Sequence, residues 1–173
     1  SDIVINSAGL HADKIVEMVD IDIEKARYKI YYCKGEYFYV DDGKGKLSHL
    51  IYPLPNKKLE GLGIHTTLDL GGNLRLGPSA FYVDELNYDV NELQRNKFFL
   101  EANKYLDFLK ARSLRPGFAG IRPKLQGPGE GPRDFVIVHE ADKGFPGLVN
   151  LIGIESPGLT SCLSIANYVS ELL

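Results

Sequence analysis

The sequence is poor in cysteine and lacks most of the short signatures by which enzymes declare their chemistry. Its two cysteines, Cys33 and Cys162, form no CxxC pair and are too few for a disulfide scaffold, a usage that fits a reducing cytoplasm. No metal is implied. A net charge of −3 with no basic cluster argues against nucleic acid as the main partner. No apolar run approaches the roughly 18 residues of a spanning helix, and no charged-then-apolar leader is visible; association with a membrane surface is left open. The GxxxxGK[ST], HExxH and EF-hand spacings are absent, and Ser156-Pro157-Gly158 is not a nucleophile elbow. Gly127-Pro128-Gly129-Glu130-Gly131-Pro132 misses both the last glycine of the dinucleotide fingerprint and the strand before it. An initiating methionine is lacking too. Ser1 opens directly onto the strand-like residues 2–6, so the chain is expected to begin partway through a domain.

What is present suffices for one substantial core or two small lobes: 173 residues, 44% of them hydrophobic. The most informative stretch is 148–169. It reads as a buried strand (148–152), a turn bearing Gly153 and Gly158, and a helix with Leu159, Leu163, Ala166, Val169 and Leu173 at helical spacing. Such a joint presents unpaired backbone N–H groups at the helix start, and glycines let a flat ligand approach the main chain. The same residues also make an ordinary strand–turn–helix joint. Residues 3–5, the turn 6–9 and a helix over 11–19, with Ile15, Val16 and Val19 inward, repeat this pattern, so both read as pieces of a parallel layer. Residues 26–78 change texture, with antiparallel strands expected at 28–32, 36–40, 50–53, 63–68 and 74–77 and turns at 41–45 and 69–73. Tyr31, Tyr32, Tyr37, Tyr39 and Tyr52 read as strand packing. The spacing predicts a helix over 90–112, a Gly/Pro loop over 127–132 and a strand over 135–140. Two side chains suit an organic acid. Arg122 offers a planar fork that matches a carboxylate, and His65 on an apolar strand can accept a hydroxyl proton near neutral pH. Each also has a plain structural reading, as a surface charge and as a satisfied sheet histidine.

Seven blocks occur in order: VINSAGLHAD (4–13), KGEYFYV (34–40), LIYPLP (50–55), LGIHTTLDLGGNLRLGPSA (62–80), AGIRPKL (119–125), DFVI (134–137) and GIESPGLTSCLSIANYV (153–169). Together they resemble the FAD-dependent D-amino-acid-oxidase-like oxidoreductase superfamily, most closely its L-2-hydroxyglutarate dehydrogenase (oxidase) branch. The GIRP block is shared with glycine and sarcosine oxidases. The resemblance implies an α+β fold: a β-rich substrate-binding lobe, residues 22–130, flanked by incomplete pieces of an FAD-binding α/β layer at 1–21 and 131–173. It implies that Ala8, Gly9, Gly153, Ile154, Pro157, Gly158, Leu159 and Thr160 contact FAD. His65 would take the hydroxyl proton of a small 2-hydroxy acid while the α-hydrogen leaves as hydride; Arg122 would hold the carboxylate, with Tyr37 and Lys34 lining the substrate face. The superfamily's N-terminal unit with GxGxxG is missing. The chain is therefore expected to be the C-terminal portion of an enzyme, inactive and weak in FAD binding alone, with the missing FAD-binding half as partner and self-association through open edges. The alternatives are an amine- or amino-acid-oxidising relative and a non-catalytic module that docks onto a separate FAD-binding chain.

Overall fold

A computed structural model describes residues 1–54 and 63–173. Pro55 of the 50–55 block and Leu62 of the 62–80 block lie outside the described residues. The chain forms two compact units: residues 1–33, 82–84 and 122–173 make the first, and 34–81 with 85–121 the second. Two of the changeovers, 33/34 and 121/122, fall inside long strands; the lobe boundaries that the resemblance implies are 21/22 and 130/131.

In the first unit, β1 (Val4–Asn6) leads through a 3₁₀ turn (Gly9–His11) into α1 (Ala12–Glu17), and a short helix α2 (Ile23–Ala26) follows. Asp22 caps α2, its carboxylate accepting from the N–H groups of Glu24 and Lys25. The three-stranded sheet has the order β1-β8-β7, with β7 at Val136–His139 and β8 at Leu148–Ile152. β1 and β8 run parallel with Val4 opposite Leu148, Ile5 opposite Val149 and Asn6 opposite Asn150; β7 is antiparallel to β8. The expected parallel pieces thus lie side by side. Ala12, Val16, Ile21, Tyr28, Ile30, Leu125, Leu148 and Ile152 form the core. Helix α4 (Gly158–Leu172) follows β8.

The second sheet has the strand order β3-β4-β2-β5, with β6 also pairing with β2; β2 is Tyr31–Val40, β3 His65–Leu68, β4 Leu74–Gly77, β5 Phe81–Val83 and β6 Leu114–Lys124. The strands expected at 28–32 and 36–40 merge into one continuous β2, which begins at Tyr31 and leaves residues 28–30 outside it. Its apparent break is stitched by Ser79, whose Oγ accepts from Glu36 N (3.0 Å) and whose N–H donates to Glu36 O (3.1 Å). Residues 50–53 form no strand: only Ile51 pairs, with Thr66. β6 runs through Pro116 and Pro123, tolerable because its one strand partner among the described residues is β2. A Cβ on Gly117 would stand 2.7 Å from Tyr37 O, so glycine permits that close approach.

The helix expected over 90–112 is shorter: α3 covers Arg95–Ala102, preceded by a 3₁₀ turn at Glu92–Gln94. Ala102 O accepts from both Tyr105 N and Leu106 N and closes the chain into a turn, while Leu106 and Leu109 still reach the core. That core joins Phe38, Leu74, Leu76, Phe98 and Leu114.

Candidate active site

Because β1 and β8 are adjacent and parallel, their C-terminal ends leave the sheet on the same edge. The two glycine-bearing turns, 7–9 and 153–158, therefore emerge as neighbours at the position where parallel sheets bind ligands. An open cavity of about 530 Å³ lies there, lined by Ser7, Gly9, Ile154 and Gly158 from the turns and by apolar side chains of α4 such as Ile165, Ala166 and Val169.

Gly9 has φ +58°, and nothing stands within 4 Å of where its Cβ would be. Gly153, φ +73°, is packed instead: a Cβ there would lie 2.6 Å from Leu125 Cγ. At the α4 N-terminus no side chain caps the first N–H groups. Open backbone at Gly9 beside a helix start without a side-chain cap, where only Gly158 N–H is taken up by Glu155 O, fits a flavin, whose electron-rich ring edge such donors stabilise. Of the expected cofactor contacts, Gly9, Ile154 and Gly158 share the cavity. Pro157 lines a second concavity with Glu155, Ser156 and Ser161, and Leu159 and Thr160 are exposed. Ala8 lies beside Gly9 and donates its N–H to Asn6 Oδ1 at 3.3 Å.

A buried polar chain supports the first turn. Asn6 Nδ2 donates to Ala12 O and to Asn150 Oδ1, both at 2.8 Å; Asn150 Nδ2 donates to Glu140 Oε1 at 2.8 Å; Lys143 Nζ donates to Glu140 Oε2 at 2.5 Å. Asn150 and Glu140 are fully buried. The hydrogen bond to Glu140 holds Lys143 above the usual lysine range.

Arg122 is half-buried, its guanidinium 3.7 Å from Cys33 Sγ. Burial pushes the Cys33 thiol up, and the Arg122 charge opposes that shift. Two residues further along β6, Lys124 Nζ meets Glu155 Oε1 at 2.6 Å. Sequence reasoning passed over both the Lys124–Glu155 pair and the Asn6–Asn150–Glu140 chain. The second had a signal: each apolar strand, Val4-Ile5-Asn6 and Leu148-Val149-Asn150, carries an asparagine at its third position.

The remaining candidates belong to the second unit. His65 is 8% exposed and stacked on Tyr52, ring centroids 4.2 Å apart. Its Nδ1 is 3.0 Å from Gly63 O, a group that only accepts; Nδ1 therefore carries the proton in the neutral ring, and Nε2 is the basic nitrogen. Tyr37 stacks on Phe118 at 4.5 Å, and a Cβ on Gly77 would meet the same ring at 2.8 Å. Lys34 points into a buried loop contact, donating to Asp89 O (2.5 Å) and Asn87 Oδ1 (3.3 Å) beside Glu36 (3.7 Å). Glu36 Oε1 also accepts from Asn91 N. No group of histidine, cysteine and carboxylate side chains among the described residues is arranged to hold a metal, and no helix among them is long and apolar enough to cross a membrane.

Comparison with known proteins gives this geometry its context. The family of FAD dependent oxidoreductases matches residues 1–172. A mitochondrial L-2-hydroxyglutarate dehydrogenase of Arabidopsis thaliana is 41% identical over 180 residues, covering 98% of this chain and 37% of that protein. A glycerol 3-phosphate dehydrogenase of Caloramator mitchellensis is 33% identical over 174 residues, covering 98% of this chain and 33% of that protein. Among solved structures, the L-alpha-glycerophosphate oxidase of Mycoplasma pneumoniae, reduced with dithionite and with FAD bound, superposes with a TM-score of 0.78 at 25% identity, over 99% of this chain and 42% of that one. The chain thus spans roughly a third to two fifths of the length of these relatives. With a match that runs from residue 1 to residue 172, the chain belongs to the FAD dependent oxidoreductase family.

Proposed function

We propose that this chain is the C-terminal portion of an FAD-dependent enzyme that oxidises a 2-hydroxy acid, L-2-hydroxyglutarate to 2-oxoglutarate. The observation that carries the reading is the emergence of the Ser7–Gly9 and Gly153–Gly158 turns side by side around one cavity. The 41% identity with the Arabidopsis protein supports the choice of substrate. Bound FAD supplies the two-electron acceptor. Arg122 holds the carboxylate, and His65, protonated at Nδ1, takes the hydroxyl proton on Nε2. The N–H groups at the start of α4 would stabilise the flavin edge on which negative charge gathers on reduction. Tyr37 lines the substrate side. Lys34, its ammonium bonded to Asp89 O and Asn87 Oδ1, is assigned to the same side, and Ala8, Pro157, Leu159 and Thr160 complete the cofactor contacts.

A second reading has its own support. The relative at 33% identity and the FAD-bound structure are both named for a glycerol phosphate, which, like a 2-hydroxy acid, joins a secondary alcohol to an anionic group. An amine-oxidising activity on sarcosine or glycine is the third possibility.

The partner in this proposal is an N-terminal half carrying the pyrophosphate cradle, without which the chain holds FAD weakly and is inactive. The compartment is a reducing one, as suits the free Cys33 and Cys162. The cytoplasm expected from cysteine usage and the mitochondrion named for the Arabidopsis relative are separated by cell fractionation.

The test measures flavin fluorescence and visible absorption of the dialysed chain, alone and joined to its N-terminal half. L-2-hydroxyglutarate, glycerol 3-phosphate and sarcosine are then offered in parallel with an artificial electron acceptor. Yellow protein only when joined, with turnover of L-2-hydroxyglutarate, is expected. Turnover of glycerol 3-phosphate alone establishes the second reading, and joined protein that binds no FAD overturns both.

A further inference from the structure

Residues 124 and 125 grip the turn before α4 in two different ways. Lys124 Nζ lies 2.6 Å from Glu155 Oε1, with side chains only 10% and 17% exposed. Leu125 packs so closely on Gly153 that a Cβ there would stand 2.6 Å away. Successive side chains of a strand alternate between its faces, so Arg122 and Lys124 lie on one face of β6. Cys33 Sγ sits among the same charges: burial pushes its thiol up, Arg122 and Lys124 oppose that shift, and Glu155 adds to it.

We infer that Lys124 and Glu155 are positioning residues: their ion pair locks the strand that carries Arg122 to the 153–158 turn and neutralises a carboxylate in that turn. This rests on the reading above that the turn contacts FAD. A pair so little exposed is weakly screened, and removing one partner leaves an uncompensated charge. Reduction adds negative charge to a flavin. An unpaired Glu155 carboxylate in the turn therefore opposes reduction, and an unpaired Lys124 ammonium favours it.

The test uses the full-length flavoenzyme with K124M, K124R, E155Q and the K124M/E155Q double variant, measuring flavin midpoint potential, FAD affinity and the KM for L-2-hydroxyglutarate. K124M is expected to move the potential to more negative values, E155Q to more positive ones, and the double variant back toward wild type. Both single variants lose FAD affinity by about tenfold and K124R retains it. A general loosening of the fold would move both single variants the same way. Potential shifts of one sign in both, or none in either, overturn the inference. Wild-type enzyme that binds FAD but leaves L-2-hydroxyglutarate untouched overturns the substrate reading while the potentials still judge the ion pair. Wild-type enzyme without FAD removes both.

Discussion

At the scale of the residue, Tyr105 ties the second core to the histidine strand. Its hydroxyl donates to Ile64 O at 2.6 Å, immediately before His65, and burial pushes its phenol up to about 12 from an ordinary 10.0. A phenol whose folded pKa is raised favours folding in its neutral form. Its contribution is full below about pH 10 and is lost as pH rises through about 12. Urea denaturation across that window is expected to show a fall in stability that Y105F lacks, and at pH 7 the variant is expected to be about 1 kcal/mol less stable. Arg122 carries the other prediction at this scale. In the complete enzyme, Arg122→Ala is expected to raise the KM for L-2-hydroxyglutarate by roughly 10- to 100-fold, the worth of one charged hydrogen-bonded pair. Steady-state kinetics decide it, and an unchanged KM removes Arg122 from the site. His65 and Arg122 could be singled out from sequence, since an imidazole among Ile64, Thr66 and Thr67 and a guanidinium beside Pro123 are conspicuous. Their surroundings could not. That Gly63 O fixes the histidine tautomer, or that Arg122 faces a buried thiol, depends on neighbours that spacing does not reveal.

Among the elements, β1 and β8 were readable because β-branched runs followed by small-residue turns have few other solutions. Their polar third positions matter more than their apolar ones. Asn6 and Asn150 are opposite one another in the register, and their amides tie the sheet to its surroundings: Asn6 to Ala12 O and to Asn150, and Asn150 to Glu140. Asn150→Leu takes a buried donor from Glu140 and strips Asn6 of an acceptor. A loss of about 2–4 kcal/mol in chemical denaturation is expected, well above that of a solvent-side change on the same strand. Helix α3 illustrates the limit in the other direction. The stripe of Phe98, Ala102, Tyr105 and Leu109, widened by Phe99 and Leu106, named the right core residues and the wrong helix bounds, because a turn closed on Ala102 O carries the later side chains to the same core. Likewise β6 escaped recognition, since two prolines and two glycines mask a strand whose narrow fit against β2 is what requires a glycine at 117.

For the whole molecule, the sequence predicted an apolar stripe on α4, and the helix formed without burying it. Leu159 is 90% exposed and Leu163 78%, while Val169 is buried. Helical spacing reports which residues share a face, and only a partner surface decides whether that face is covered. On β1, Ile3, Val4 and Ile5 are about half exposed, and β1 pairs with β8 alone among the described residues. An open strand edge and an apolar helix surface are two features through which chains associate. The isolated 173-residue chain is accordingly expected to self-associate, its weight-average mass in sedimentation equilibrium rising with concentration and responding little to salt. L159E combined with L163E should shift it toward monomer, whereas L70E, on a fully exposed turn, should leave it unchanged. Joining the N-terminal half should suppress association as well. If the joined protein associates as strongly as the isolated chain, the exposed apolar surface belongs to an assembly of copies and the half-enzyme reading loses that support.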